Sequence, residues 1–517
     1  MPLYTQLFDY QKNIVDKFKD RHDFGLFLDM GLGKTIISLA LAEQNQCEKV
    51  IIITINSKAI ESEEVDGSWL YWAKQSNIKY SFYNKHCKNF SFSEDTNDLL
   101  IINYESLFTR KKNELSKQTD VKLNSIFNKL ISTCLNKRVA LILDESHKIK
   151  NITSKTTKAV LKLKRQLCMY THKIYTYLLT GTPFTQGYID LYSQLKVLGY
   201  PDNKGNFEER FCEKGNIPGL LGWQQPIVGY KNIDELFNLV HQYAITIETE
   251  SVVKLPEQIF KTIKQKQSHS FKMYTYEKAY AKDILYENSI HSVKLPDVDK
   301  YKNITKLINN PYYANIDYPN DNWLALTNGV FHLRARQLSI GFNGNNENFI
   351  WYDRSRLDSL KEFLENNVDN YIIFYNFTPE LYEIYNICSE LNYNIDVYCG
   401  DIKSEYFYNN YVNTSNDKKI NNKKNVLIVN FASGSTGKNW QAYNKVIIFS
   451  LPTYDDYAQG IKRVHRPGQK NTVFYYIFEG DNWLDKSMKK ALDEKKNYTN
   501  DMFESDLHRV NYLMNND

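Results

Sequence analysis

The chain has 517 residues, a length that predicts two or more domains because a single hydrophobic core stops growing well below this size. Its 42% hydrophobic and 24% charged residues are ordinary for a globular protein, and the net charge of +5 permits nucleic-acid binding without arguing for it. The seven cysteines are never spaced as CxxC, no signal-peptide pattern opens the chain and no apolar run reaches about 18 residues, so zinc, disulfide and membrane classes are excluded and we expect a soluble, intracellular protein.

The first predicted element that carries chemistry is a phosphate-binding loop near the N-terminus. A short apolar strand, Phe24–Leu28, precedes the run Asp29–Thr35, and an unbroken helical pattern follows over Ile36–Leu41. A strand, a glycine-containing turn and a helix N-terminus together point backbone N–H groups at an anion. Lys34 would then reach the β- and γ-phosphates of a nucleotide, and the Thr35 hydroxyl would bind Mg²⁺. The strict pattern has a glycine where this chain has leucine at position 28, and the alternative interpretation is an ordinary tight turn.

Another apolar strand, Val139–Leu143, ends directly in two adjacent carboxylates. Asp144 would hold Mg²⁺, usually through water, because this ion keeps much of its hydration shell. Glu145 would orient and deprotonate an attacking water. Two carboxylates this close repel each other without a cation, which is a reason to expect one. The alternative is a strand-end turn whose acids are solvated.

Apolar, β-branched runs recur along the chain with helical stretches between them, and they fall into two sets. Continuous apolar strands that alternate with helices predict parallel sheets covered on both faces. We therefore predict an α/β fold with two lobes, residues 1–200 and 346–517, of which only the first carries a phosphate loop. Residues 201–345 mix aromatic and charged residues at helical spacing and are predicted to be helical insertions and a linker. The predicted strands, besides the one before the phosphate loop, are Val50–Ile53, Leu99–Ile102, Val139–Leu143, Tyr177–Leu179, Tyr371–Phe374, Ile395–Tyr398, Val426–Val429, Val446–Phe449 and Val473–Ile477.

Five motifs, in order along the chain, resemble those of superfamily 2 helicases. Asp29–Thr35, Asp144–Asn151 and Leu178–Phe184 resemble motifs I, II and III. Gly434–Trp440 looks like motif V, and Gln459–Gln469 is similar to motif VI. Among the variants of these motifs, those of the SWI/SNF-type DNA translocases fit best, since their phosphate loop also lacks the first glycine. The resemblance spans residues 7 to about 480. It implies two tandem RecA-like lobes with helical insertions between them, similar to the minimal helicases of large phages and viruses.

The resemblance implies that ATP and Mg²⁺ are the cofactors, and it assigns roles residue by residue. Gln11 would read the edge of the adenine. Arg463 and Arg466 would reach from the second lobe to the γ-phosphate as arginine fingers, and Gln459 would line the same cleft. Because these arginines and Lys34 lie on different lobes, hydrolysis would require the lobes to close. The residues implied in nucleotide binding are Gln11, Met30, Gly31, Leu32, Gly33, Lys34 and Thr35; those in catalysis are Lys34, Asp144, Glu145, Gln459, Arg463 and Arg466; and those that bind the metal are Thr35 and Asp144.

The resemblance also places a polynucleotide across both lobes, held mainly through its phosphates. Hydroxyls, amides and backbone N–H groups at successive strand ends suit that task, since they fix position without reading sequence. Two interpretations of Trp440 are open, a core residue or a wedge against a base, and the first is favoured. Three departures from the family pattern stand out: Ile55 replaces a proline, Gln186 replaces an asparagine, and Ile245–Glu248 stands in place of a pair of arginines. The candidate nucleic-acid contacts are Thr54, Ser57, Asn103, Tyr104, Asn376, Gly400, Ser433, Ser435 and Asn439.

The leading interpretation is an ATP-dependent DNA translocase or helicase that moves on duplex or branched DNA in replication, repair or recombination, including branch migration. We expect a monomer that does not bind membranes, with room for a protein partner in replication or transcription. Its compartment would be the bacterial cytoplasm if the chain is phage-encoded, and otherwise the nucleus or a viral replication site. Two alternatives stay open: an ATP-driven, transcription-associated remodelling factor, and an RNA helicase, because contacts to the 2′-hydroxyl leave no motif in a sequence.

Overall fold

Two parallel sheets organise the computed structural model of the chain, one in the unit Met1–Lys254 and one in the unit Leu255–Asp517. These units are called the first and second lobes below. The predicted α/β fold with two RecA-like lobes is confirmed. Within the described part of the chain, no helix is both long enough and apolar enough to cross a membrane. The structure describes residues 2–59, 61, 63, 67–84, 92–108, 122–184, 187–215, 225, 227–266, 328–344, 349–400, 402, 404, 424–434, 439–494, 498, 502 and 506.

The strands described in the first lobe are β1 (Asp23–Leu28), β2 (Lys49–Thr54), β3 (Ser81–Asn84), β4 (Asp98–Asn103), β5 (Arg138–Asp144), β6 (Lys173–Leu179), β7 (Cys212–Lys214), β8 (Ile227–Tyr230) and β9 (Ala244–Ile247). Seven of them form a sheet in the order β3-β4-β2-β5-β6-β1-β9, with every neighbouring pair parallel. The carboxyl ends of parallel strands share one edge of a sheet, which is where ligands of open α/β sheets bind. Only β6 separates β1 from β5, so the phosphate loop and the acid pair start about 10 Å apart.

Helices cover both faces of the first sheet, as expected for strands that are apolar on both sides. Successive strand residues point to opposite faces, and on β5 Leu141 belongs to one hydrophobic cluster while Ile142 belongs to the other. The helices of this lobe are Asp9–Phe18, Lys34–Gln44, Asn56–Ala59, Trp69–Gln75, Ser125–Ser132, Lys155–Tyr170, Asp190–Val197, Lys204–Phe211, Ile233–Tyr243 and Thr249–Val252, with 3₁₀ turns at Leu3–Gln6, Tyr104–Ser106 and Ser146–Ile149.

The second lobe repeats this construction. Its described strands are β10 (Gln258–Gln265), β11 (Phe342–Gly344), β12 (Phe349–Trp351), β13 (Tyr371–Tyr375), β14 (Asn394–Tyr398), β15 (Asn425–Asn430), β16 (Lys445–Ile448) and β17 (Val473–Gly480). The main sheet has the order β10-β17-β16-β13-β15-β14, again with all neighbours parallel, and on β13 Ile372 and Ile373 belong to the hydrophobic clusters on its two faces. The described helices are Asn328–Ile340, Ser355–Asn366, Thr378–Glu390, Phe431–Gly434, Tyr454–Val464 and Trp483–Asp493.

The segment between the predicted lobes is divided between the two sheets. Strand β9 pairs with β1 in the first sheet, and β10 pairs with β17 in the second. The structure therefore separates the lobes between Lys254 and Leu255, whereas the sequence suggested boundaries at 200 and 345. The predicted insertion over 201–345 stays a prediction for residues 267–327, which lie outside the described residues. Most of the segment Ile245–Glu248, which departs from the family pattern, lies in β9 beside β1.

A buried ion pair fixes the amino ends of β2 and β4. The side chains of Lys49 and Asp98 are both 0% exposed, and their charged atoms lie 2.5 Å apart. The Lys49 ammonium also donates to the carbonyl oxygens of Ser93 (2.6 Å) and Thr96 (2.7 Å), so each of its three protons has an acceptor. A buried charge is tolerated only when it is paired and hydrogen-bonded in this way. The pair holds the register of the strand that ends in Thr54.

Candidate nucleotide site and nucleic-acid contacts

The predicted phosphate loop joins the end of β1 to the helix Lys34–Gln44, which begins at the residue the motif requires. Gly31 and Gly33 both have positive φ, 85° and 77°, a region that residues with a side chain rarely adopt. A Cβ at Gly33 would also collide with the side-chain nitrogen of Gln11. Both glycines are thus required by the backbone path, and the loop presents the N-terminus of the helix as an anion site.

The Lys34 ammonium lies over the strand end. Its Nζ donates to the carbonyl oxygens of Leu28 (2.7 Å) and Asp29 (3.1 Å). The Asp29 carboxylate in turn accepts from the backbone nitrogen of Thr249 (3.1 Å) and from its hydroxyl (3.3 Å). Thr249 lies 220 residues from Asp29, so no local pattern could have assigned it to this loop. It ties the loop to the segment after β9.

Gln11 is brought to the phosphate loop, as its predicted role in nucleotide binding requires. It is 3% exposed, and its Nε2 donates to the Leu32 carbonyl oxygen at 3.1 Å. The Tyr10 hydroxyl donates to the same oxygen at 3.1 Å, and the backbone nitrogen of Phe8 donates to Gln11 Oε1 at 2.9 Å. These contacts position the amide beside the loop. Its contact with adenine stays a prediction, and it requires the amide to exchange some of these partners.

Asp144 ends β5 inside a set of hydrogen-bond donors. Its Oδ2 accepts from the hydroxyl of Thr54 (2.8 Å) and from the indole nitrogen of Trp69 (3.2 Å). The buried Tyr104 hydroxyl donates to the Asp144 backbone oxygen at 2.8 Å, and burial raises the pKa of that phenol well above its usual value. Thr54 and Tyr104 had been predicted to contact nucleic acid. The structure instead buries both side chains and directs both hydroxyls to Asp144, while Trp69 was missed because nothing near it in sequence marks it.

Glu145 is buried beside Asp144 in a left-handed backbone conformation, with φ of 53°. Such a conformation is strained for a residue with a side chain and is concentrated at functional sites. Its Oε1 lies 3.3 Å from the Lys58 ammonium, and its Oε2 lies 3.5 Å from Nδ1 of His147. The same His147 nitrogen is 3.3 Å from the hydroxyl of Thr180, in motif III. His147 of motif II therefore contacts motif III through Thr180.

A further residue joins motif II to motif III. The Ser146 hydroxyl donates to Oε1 of Gln194 at 2.7 Å, and Nε2 of Gln194 donates to the Pro183 carbonyl oxygen. Gln194 is fully buried in the helix Asp190–Val197, outside any motif that the sequence identified. The two motifs are thus held together by a side-chain amide as well as by the His147–Thr180 contact.

Motifs V and VI meet in the second lobe. The backbone nitrogen of Trp440 donates to the Arg463 carbonyl oxygen at 2.9 Å, and Nη1 of Arg466 donates to Oδ1 of Asn439. Trp440 is 0% exposed, which confirms its assignment to the core. Arg463 and Gln459 lie in the helix Tyr454–Val464 and are 6% and 9% exposed. The guanidinium predicted to act on ATP thus shares a hydrogen bond with an amide predicted to contact nucleic acid.

The remaining predicted contacts in the second lobe have different surroundings. The side-chain amide of Asn376 is hydrogen-bonded to Ser450: its Nδ2 donates to the Ser450 carbonyl oxygen (3.0 Å) and to the Ser450 hydroxyl (2.8 Å). Gly400 is exposed, and a Cβ there would meet nothing within 4 Å. In the first lobe, Asn103 is buried and its Nδ2 donates to Glu105 at 2.6 Å. The side chains of Ser57 and Ser433 and the whole of Ser435 lie outside the described residues, so their assignment stays a prediction.

Glu380 is a fully buried carboxylic acid at the carboxyl edge of the second sheet. Its Oε2 accepts from the Ser450 hydroxyl at 2.7 Å and from the backbone nitrogen of Asn376 at 3.3 Å, and its Oε1 accepts from the backbone nitrogen of Phe377 at 3.3 Å. Burial raises the pKa of this carboxyl from 4.5 to about 7, and its hydrogen bonds and the charge of Arg356 only partly oppose that rise. The acid is therefore protonated in the folded state over a pH range in which it would ionise in the unfolded chain.

This carboxyl should make the second lobe less stable as pH rises. Because the pKa of Glu380 is higher in the folded state, its contribution is fully present below about pH 4.5 and is lost as pH rises through about 7. The shift corresponds to up to roughly 3 kcal/mol, and after local relaxation we expect on the order of 2 kcal/mol. Calorimetric melting temperatures from pH 5 to 8 should fall more steeply in the wild type than in Glu380→Gln. The exposed Glu390, replaced in the same way, is the control; parallel curves for wild type and Glu380→Gln would contradict the prediction.

The oxygen ligands on the first lobe fit a Mg²⁺–nucleotide complex. Mg²⁺ at such sites is bound by one or two carboxylates together with phosphates and water rather than by an all-protein cage. Asp144 supplies the carboxylate, and its Oδ1 accepts a single backbone hydrogen bond, from Glu145 at 3.1 Å, which leaves a lone pair for a ligand water. Thr35 supplies a hydroxyl at the helix start. Among the described residues no group of three or more His, Cys, Asp or Glu could hold a metal.

Comparison with known proteins identifies the family. The SNF2-related domain matches residues 10–311, and the helicase conserved C-terminal domain matches residues 355–468. A search of curated proteins found no match. Among solved structures the chain is similar to the Sulfolobus solfataricus SWI2/SNF2 ATPase core in complex with dsDNA, at 18% identity over 94% of this chain and 91% of that one, with a TM-score of 0.37. That score is low, so the assignment rests on the two domain matches, the first of which covers more than half of the chain. The chain therefore belongs to the SNF2-related family of superfamily 2 helicases and is a DNA-dependent ATPase.

Proposed function

We propose that this ATPase is a DNA translocase that moves along duplex or branched DNA and serves replication, repair or recombination. The observation that carries the proposal is the carboxyl edge of the first sheet. There β1 leads into the phosphate loop and β5 ends in Asp144 and Glu145, with the single strand β6 between them. A phosphate loop and an acid pair at this spacing suit phosphoryl transfer to water. Membership of the SNF2-related family supports DNA as the track.

The residues of the first lobe divide the hydrolytic work. The loop N–H groups and Lys34 would bind the phosphates, and Thr35 and Asp144 would hold Mg²⁺, which would neutralise phosphate charge when bound. Glu145 takes the proton of the attacking water. Its strained backbone and its contacts with Lys58 and His147 fix the direction of the carboxylate before substrate arrives. A preorganised base is more effective than one that must be ordered during the reaction.

The second lobe supplies cations for the charge that develops on the transferred phosphoryl group. We assign that role to Arg463, which shares the helix Tyr454–Val464 with Gln459, and to Arg466, which follows that helix. Hydrolysis is then expected to require closure of the lobes, which couples the chemistry to movement. The hydrogen bond from Arg466 to Asn439 supports this coupling, because a nucleic-acid contact at Asn439 would act directly on the guanidinium.

The steady-state ATPase rate in the presence of different polynucleotides tests the proposal. Rates are measured with no nucleic acid, single-stranded DNA, duplex DNA, a four-way junction and RNA, with Glu145→Gln as the control for contaminating activity. We expect the strongest stimulation by duplex or branched DNA. ATP-dependent displacement of a third strand bound to the duplex, without separation of the duplex itself, would then identify translocation.

Each other outcome points to one of the alternatives. Stimulation by RNA alone would replace the proposal with an RNA helicase. Stimulation by none of the four polynucleotides would replace it with a remodelling factor whose ATPase is switched on by a protein partner, such as a transcribing polymerase. Equal stimulation by all polynucleotides, without strand displacement, would retain the ATPase but contradict translocation on duplex.

A further inference from the structure

The two carboxylates of motif II have a cation from the chain itself. Lys58 lies in the short helix Asn56–Ala59, immediately after β2. Its Nζ is 3.1 Å from Asp144 Oδ2 and 3.3 Å from Glu145 Oε1, so the ammonium bridges the pair. The Lys58 side chain is 18% exposed, and the two carboxylates are 2% and 7% exposed. At this degree of burial two like charges on adjacent residues are costly without an opposite charge between them.

Three other side chains described beside the pair, those of Thr54, Trp69 and His147, do not replace that charge. Thr54 and Trp69 donate neutral hydrogen bonds to Asp144 Oδ2. His147 lies 3.5 Å from Glu145 Oε2 but also 3.3 Å from the Thr180 hydroxyl, which a neutral imidazole satisfies equally well. The Lys58 ammonium, by contrast, lies within ion-pair distance of both carboxylates. It belongs to no motif that the sequence analysis identified.

We infer that Lys58 is the resident counter-ion of the Asp144–Glu145 pair: it holds both carboxylates in place when no metal is bound and weakens their affinity for a divalent cation. The inference rests on the proposed assignment of Asp144 and Glu145 as catalytic residues. Lys58 itself is a positioning residue, since it acts through these two side chains.

The physical argument is one of charge. With Lys58 in place the cluster of three side chains carries a net charge of −1, and without it the two carboxylates carry −2. A divalent cation is attracted more strongly to the second arrangement, and the difference is largest where water is excluded. The same repulsion that attracts the metal destabilises the metal-free protein. Metal affinity and metal-free stability should therefore change in opposite directions when the ammonium is removed.

Binding of Mn²⁺ alone, in the absence of nucleotide, is the test. Mn²⁺ accepts the same oxygen ligands as Mg²⁺, and its free concentration is read directly by electron paramagnetic resonance. In Lys58→Met we expect Mn²⁺ to bind at least about tenfold more tightly than in the wild type. The melting temperature in EDTA should fall, and Mn²⁺ should raise it by more than it does in the wild type. Lys58→Arg keeps the positive charge, so its Mn²⁺ affinity and its melting temperature in EDTA should stay near those of the wild type.

Two further variants sharpen the result. Lys137→Met removes a lysine of the same lobe that pairs with Glu48 at 2.9 Å, so it controls for loss of an ion pair and should leave Mn²⁺ affinity unchanged. The double variant Lys58→Met/Glu145→Gln removes one charge of each sign and returns the cluster to −1. It should fold in EDTA and bind Mn²⁺ about as the wild type does, even if Lys58→Met alone does not fold.

Unchanged Mn²⁺ affinity and unchanged melting temperature in Lys58→Met would overturn the inference. So would a double variant that is as unstable in EDTA as Lys58→Met, because Lys58 would then matter for packing rather than for charge. Neither readout depends on turnover, so this failure is distinct from failure of the catalytic assignment. That assignment fails only if Glu145→Gln hydrolyses ATP normally.

Discussion

Replacing Arg466 with alanine is expected to lower ATP turnover about 10³-fold at saturating ATP and DNA. An arginine finger stabilises charge that develops only as the phosphoryl group is transferred, so its loss falls on kcat more than on nucleotide affinity. In the structure Arg466 follows the helix Tyr454–Val464, and its Nη1 is held by Oδ1 of Asn439. Steady-state ATPase rates together with equilibrium binding of a fluorescent ATP analogue separate the two effects.

Two variants in the same segment control this result. Arg466→Lys keeps the charge but loses the planar fork, so we expect a rate between those of the wild type and the alanine variant. Lys470→Ala removes an exposed cation four residues further along and should leave the rate near normal. If Arg466→Ala weakens DNA binding while turnover at saturating DNA stays normal, the residue belongs to the nucleic-acid track and the finger assignment is wrong.

The sheets were largely predictable because their strands are buried on both faces. Runs such as Val139–Leu143 and Val426–Val429 are continuously apolar, and they became the central strands β5 and β15. The edge strand β10 escaped prediction because polar residues interrupt its apolar ones and only its last residue, Gln265, is buried, as an edge position allows. Strand β9 was missed because it is only four residues long, Ala244–Ile247, and only its first residue is buried. Because β9 belongs to the first sheet and β10 to the second, the boundary between the lobes lies between these two strands rather than at the predicted positions.

The nucleotide site was predictable where one motif supplies the chemistry. Gly31, Gly33 and Lys34 are dictated by local backbone geometry, so their spacing alone located the loop. The environment of Asp144 was not predictable, because it is assembled from three separate strand ends and a helix. Trp69 lies 75 residues from its acceptor, and the Thr54 hydroxyl turns inward where a strand-end position suggested an outward contact. Periodicity identifies which residues are buried but not which of them meet.

The sequence did, however, predict that the acid pair needs a cation. The expected partner was a divalent metal, and the structure adds Lys58 to the same two carboxylates. Repulsion between adjacent carboxylates specifies the sign of the missing charge but not its source. A lysine on the helix after β2 could be recognised as that source only once β2 and β5 were known to be neighbours in the sheet.

Glu145→Gln is expected to bind ATP normally and to reduce turnover roughly a hundredfold or more, because an amide cannot accept the proton of the attacking water. The Glu145 side chain is 7% exposed and contacts both Lys58 and His147, so few waters can replace its carboxylate. Single-turnover hydrolysis of prebound ATP measures the chemical step without product release. Glu48→Gln is the matched control. Glu48 is an ion-paired carboxylate of the same lobe, and it lies just before β2, at the edge of the sheet opposite to Glu145.

The charge at motif II also determines how a slow Glu145→Gln variant should be interpreted. The substitution preserves volume and leaves Lys58 paired with Asp144 alone, at 3.1 Å, so no buried carboxylate loses its counter-ion. The melting temperature should therefore stay near that of the wild type, and loss of turnover cannot then be attributed to unfolding. Near-normal turnover in a stable variant would remove Glu145 as the base, and the attacking water would need another acceptor. Slow turnover in a stable variant would leave proton transfer to Glu145 as the step that was lost.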